Sequence, residues 1–175
     1  TNQAIHAAEE LLARNNYRSA TKVVQGTFPK VLLADHQTRR QALFHRAQRI
    51  VALAQIRSGG DIRIADLHAK TDADREVALA WAAATLRLHA ARGDTSVLLT
   101  SELAEALALR PAERHEALAL LKELADADIM PTARACAVLA ALEQQRGDTN
   151  AAARATARCK ELAPDDASCD PTGIS

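Results

Sequence analysis

Apolar residues recur along this chain at helical intervals, and short polar turns interrupt the runs. The pattern predicts a first hairpin of Asn2–Arg14 and Arg18–Phe28, with Pro29 closing it. A long helix, about Asp35–Arg57, is apolar on several sides through Leu43, Phe44, Ile50, Val51, Leu53 and Ile56, so it is expected to have neighbours on more than one side. Its expected partner, Ile62–Lys70, is short. Thr71 then caps a helix running to Arg92, with Asp72 and Asp74 in the first turn, where the helix dipole favours acids. Ser96–Leu109 returns antiparallel, Pro111 opens a helix to about Ala127, and Met130-Pro131 breaks the chain before the last hairpin.

That last hairpin, Ala133 to Pro164, carries the clearest signals. Its first run stops at Arg146-Gly147-Asp148-Thr149, where Gly147 is free to take the left-handed turn. Asp148 or Thr149 can accept the orphan amides of the second run, and Pro164 ends it. The same turn stands at Arg92-Gly93-Asp94-Thr95, and in weaker form at Ser58-Gly59-Gly60-Asp61 and Asn15-Asn16-Tyr17. The expected fold is therefore all-α: an irregular right-handed solenoid of antiparallel hairpins, eight to nine helices over residues 1–163, with 164–175 as a polar tail.

The hairpin resembles the tetratricopeptide repeat, a helix-turn-helix unit of about 34 residues. With Ala133 as first position, Leu139 and Ala140 fall on the family's Leu-Gly pair. Ala152 and Cys159 fall on its small residues and Pro164 on its terminal proline, with Gly147-Asp148 at the turn. Cys136, Glu143 and Thr156 depart from it, standing where the family has bulky residues. In the first unit only Ala8, Asn15-Asn16-Tyr17 and Ala20 fall in register. Turn-to-turn spacings of 45, 33 and 54 residues (Asn15, Gly60, Gly93, Gly147) make the array irregular, since only the middle one is close to the period.

Composition supports helices and argues against a sheet. Aromatic residues make up 2% against 48% apolar, mostly Ala and Leu, and β-branched alternation is not visible. Net charge is zero, but residues 1–92 carry 14 Lys/Arg against 8 Asp/Glu and residues 93–175 carry 8 against 14, so the halves are +6 and −6. The overall balance disfavours a nucleic-acid partner, and the opposed halves allow weak head-to-tail self-association. No run of about 18 apolar residues predicts a membrane span, and no signal peptide is visible. The chain begins at Thr1, which reads as a processed or excised piece of a larger protein. Its Ala- and Arg-rich usage is that of a high-GC bacterium, in cytoplasm or periplasm. A Cys159–Cys169 disulfide would pin the tail in an oxidising compartment; the alternative is small buried thiols.

The polar residues carry no catalytic pattern. The six histidines (His6, His36, His45, His68, His89, His115) fall singly on different helices, without HExxH or CxxC spacing, so no metal or cofactor is expected. Ser19-Ala20-Thr21-Lys22 fits a Ser-x-x-Lys pattern but lacks its companion motifs, and both Arg-Gly-Asp copies are hairpin turns. The expectation is a non-enzyme.

The family resemblance implies a concave groove lined by the first helix of each pair. The corresponding positions hold Ile5, Glu9, Leu12, Ala83, Arg87, Ala137, Ala141, Gln144 and Gln145, which is not the family's carboxylate clamp. Arg39, Arg46 and Arg57 lie within about 20° of one another on their helix, with Leu43 and Ile50 beside them. With Arg87 these form the candidate peptide-binding face, suited to an acidic amphipathic partner. The expected function is a protein-protein interaction module or adaptor, part of a larger bacterial protein. The alternatives are a regulatory or ligand-sensing domain attached to a kinase or transcription factor, and a structural scaffold.

Overall fold

A computed structural model describes residues 1–33, 36–62, 71–93 and 96–169. Among the described residues there are eight α-helices and two 3-10 turns, and no strand. The chain divides into two compact units, 1–92 and 93–175. The division falls where the formal charge changes from +6 to −6.

Unit 1 contains α1 (Asn2–Ala13), α2 (Tyr17–Leu32), α3 (Gln37–Arg57) and α4 (Asp72–Ala91). Helices α1 and α2 form a hairpin, and α3 packs on both of them and on α4. The all-round apolarity of α3 is thus used: Leu43, Ala47, Ile50, Leu53 and Ile56 are all buried. Asn15 (φ 59) takes the left-handed position after α1, and the Asn16 amide returns to the Leu11 carbonyl. The Asn16 side chain then accepts from the Ser19 amide and starts α2. Helix α2 does not stop at Pro29 but continues to Leu32. Proline removes only its own amide, its carbonyl still accepts from Leu33, and the fully buried Val31 draws the last turn onto the core.

Helix α3 ends at Gly59 (φ 65) and Gly60 (φ 83), with the Gly60 amide donating to the Gln55 carbonyl. The buried Gln55 side chain then holds Ile62, donating to its carbonyl at 2.7 Å. Ile62 is not helical, and the rest of the expected helix Ile62–Lys70 lies outside the described residues, as do Asp94-Thr95 of the second Arg-Gly-Asp turn. Helix α4 starts on a capping box: Thr71 accepts from the Asp74 amide, and the Asp74 carboxylate accepts from the Thr71 amide.

Unit 2 contains α5 (Val97–Ala108), a 3-10 turn at Pro111–Glu113, α6 (Arg114–Asp126), α7 (Ala133–Arg146), α8 (Thr149–Leu162) and a 3-10 turn at Ala167–Cys169. Helix α7 packs on α5, α6 and α8. The α7–α8 turn has Gly147 at φ 87, and Asp148 accepts from the Ala151 amide at 2.9 Å. Asp128 (φ 53) takes the left-handed position just after α6, whose end at Asp126 agrees with the end expected at about Ala127. Cys159 and Cys169 are disulfide-bonded with Cα atoms 5.5 Å apart, and the turn carrying Cys169 rests on α7 and α8. Part of the expected tail is therefore docked. Cys136 is a buried free thiol whose pKa burial pushes up, which keeps it from acting as a ready thiolate.

Two glycines of unit 1 give opposite predictions. A Cβ on Gly60 would stand 2.9 Å from the Arg75 carbonyl, at a φ that L residues resist, so Gly60→Ala is expected to destabilise unit 1 by at least about 1–2 kcal/mol. Gly26 is helical with nothing within 4 Å, so Gly26→Ala is expected to stabilise by about 0.5–1 kcal/mol. Thermal melting followed at Trp81, which lies in unit 1, checks both.

Candidate functional site: the outer face of α4

Two of the six residues of the sequence-derived face are not on the surface. Leu43 and Ile50 are core residues, 4% and 2% exposed, because α3 is covered by α1, α2 and α4. They cannot floor a groove. Ile5, Leu12, Ala83 and Ala137, expected along the groove, are buried as well.

Arg46, a member of the expected binding face, instead crosses to α1. It donates to both Glu9 carboxylate oxygens at 2.9 and 2.7 Å and to Asn2 at 2.7 Å. The Arg46 hydrogen bonds hold the Glu9 carboxyl below its usual range, against the raising effect of partial burial. A planar fork matched to a carboxylate one helix away explains why this arginine is structural. Arg39 is exposed near the start of α3, Arg57 is half-buried at its end, and Arg87 is half-buried on α4.

The surface that sequence reasoning missed lies on α4 itself. Its inner face buries Leu79, Ala82, Ala83, Leu86 and His89. Among the described residues of unit 1 that face packs on α3, with the His45 and His89 rings 5.2 Å apart and Arg92 on His45 Nε2 at 2.7 Å. The outer face carries Val77, Trp81, Ala84, Leu88 and Ala91, all exposed. Val77 is 69% exposed, Leu88 46% and Trp81 40%.

Spacings of four, three, four and three keep these five residues on one stripe about 21 Å long. This is the seam pattern of a helix that packs against another helix. A contiguous apolar patch at this spacing, containing the single Trp, is the surface type that marks a protein contact. The signal was present in the sequence, but the near-continuous apolar run from Val77 to Ala84 did not say which side faces out.

Unit 2 places the Glu143 and Glu105 carboxylates in its interior, each matched by a cation. Glu143, at a position where the repeat family has a bulky residue, is 1% exposed and is paired with Arg146 at 2.8 Å and Lys122 at 3.6 Å. Glu105 on α5 is similarly enclosed and receives Arg134 of α7 at 3.0 Å. These pairs tie helices together, since a buried carboxylate must be matched. Among the described residues no three His, Cys, Asp or Glu side chains are grouped to hold a metal ion, and no helix is long and apolar enough to cross a membrane.

No protein-family model matches the chain, and neither a curated protein nor a solved structure matches it.

The Arg46–Glu9 pair yields a signed pH prediction. Because the Glu9 pKa is lowered in the folded state, the pair's contribution is present above the ordinary carboxylate range and is lost as pH falls through the lowered value. The pair is more than a third exposed, so Arg46→Ala should cost only about 1 kcal/mol at neutral pH. Melting curves of this variant and the parent, followed at Trp81, should converge in acid; a gap that persists there would locate the loss in packing instead.

Proposed function

We propose that this chain is a protein-protein interaction module, a helical-hairpin array of tetratricopeptide kind, which binds an amphipathic helical segment of its partner. The resemblance of Ala133–Pro164 to the repeat, with Leu139, Ala140, Ala152 and Cys159 in register, supports the array. The observation that carries the binding reading is the outer face of α4. Leaving Trp81, Val77 and Leu88 in water forgoes about 1.5–3 kcal/mol for each large side chain that a contact would bury fully. A partner helix with its own apolar seam recovers that energy, and the flanking charges of α4 set its orientation. On this reading the contact surface is an apolar stripe on one helix rather than an arginine-lined groove.

A panel of amphipathic helical peptides, acidic and basic, titrated against the whole chain tests this reading. Peptides with an apolar seam should bind, and Trp81→Ser or Leu88→Ser should weaken them at least about tenfold while helicity is unchanged. Arg39→Glu, which alters exposed α3 charge, should leave that binding in place. Binding lost with Arg39→Glu and indifferent to Trp81→Ser would return the site to the arginine line. No binding by any peptide in the panel would remove the peptide-binding reading.

A further inference from the structure

We infer that the outer face of α4 pairs with the same face of a second copy of this chain, antiparallel, in a two-fold dimer. This rests on the reading of that face as a contact surface and names its occupant. The stripe is nearly symmetric about its centre: Val77, Trp81, Ala84, Leu88 and Ala91 read four-three-four-three from one end and three-four-three-four from the other. Reversing one helix therefore sets Val77 near Leu88 and Trp81 near Ala84 of the other copy, with the axis level with the midpoint between Trp81 and Ala84. Ala78 and Ala80 beside the stripe let the two backbones approach closely.

Charge decides the direction. The flanks of the stripe are acidic at the start of α4, with Asp74 on one side and Glu76 on the other. They are basic toward its end, with Arg92 on Asp74's side and Arg87 on Glu76's side. A two-fold axis perpendicular to the helices keeps each flank against its own counterpart and reverses its ends. Asp74 then faces Arg92 of the other copy, and Glu76 faces Arg87 of the other copy. A parallel pair would bring opposite flanks together in the same direction. Asp74 would meet Glu76 and Arg92 would meet Arg87, like charge on like, with the helix dipoles aligned unfavourably. Asp72 and Arg75, the remaining charges of the first turns, lie away from the stripe and are paired with each other at 2.7 Å. One helix pair buries less than the roughly 1,200 Å² of a standard interface, so the dimer is weak, with a dissociation constant of about 10–100 µM.

Sedimentation of the whole chain from about 1 µM to 1 mM tests this. The expected result is a monomer-dimer equilibrium that stops at two copies and is weakened at least about tenfold by Trp81→Ser. Glu76→Arg and Arg87→Glu should each weaken the dimer, and the double substitution should restore it toward the parent. In a parallel pair each single substitution would strengthen the dimer instead, and that result would overturn the stated direction. Circular dichroism and melting of each variant separate a lost contact from a lost fold. A monomer throughout overturns the inference, and so does growth beyond two copies or a dimer indifferent to Trp81→Ser. If peptides still bind α4 while the chain stays monomeric, the contact surface stands and only its occupant is wrong.

Discussion

Close approach of helices through alanine is the constraint on which the structure depends. Ala8, Ala20, Ala47, Ala52, Ala54, Ala82, Ala83, Ala104, Ala106, Ala117 and Ala135 are fully buried, and among the described residues no Phe, Tyr or Trp is. Each buried methyl contributes little, about 0.8 kcal/mol, so the larger share of apolar burial falls to side chains such as Ile5, Leu86, Leu99, Leu107 and Leu121, which the small alanines leave room to enclose. Close helix contacts tolerate no added bulk, as Gly60 under the first turn of α4 illustrates. They also leave little apolar area to spare. In a core this lean, the largest apolar side chain of the protein, Trp81, is nonetheless 40% exposed. That contrast singles out α4.

Polar links supply what alanine does not. Arg46 fastens α3 to α1 through Glu9, Arg134 fastens α7 to α5 through Glu105, and Gln55 holds Ile62 against α3. In unit 2 a disulfide between Cys159 and Cys169 adds a covalent restraint at the end of α8.

Local chemistry was well written in the sequence, and tertiary destination was not. Helices α7 and α8 and the cap at Thr71 could be read from Gly147, Asp148 and the Thr-x-x-Asp box, because a left-handed turn and an orphan amide each demand particular residues. Pro29 misled because the buried Val31 beyond it outweighs one missing hydrogen bond. Arg46 looked like surface charge because its partner Glu9 lies 37 residues away on another helix. Leu43 and Ile50 looked like groove lining because periodicity marks a face without saying whether protein or water covers it. The same ambiguity hid the stripe on α4, where both faces are apolar. Glu143 departs from the repeat pattern, and only the structure reveals the Arg146 and Lys122 charges that make its burial possible.

Trp81 is the only indole and lies in the stripe, so its fluorescence reports the central claim without a label. Emission maximum and acrylamide quenching should be recorded as the chain is concentrated. The account predicts half-exposed, quenchable emission in dilute solution that shifts to the blue and becomes protected as copies associate, with no change in helicity. Emission that is already protected at high dilution, or that stays exposed at every concentration, would contradict it.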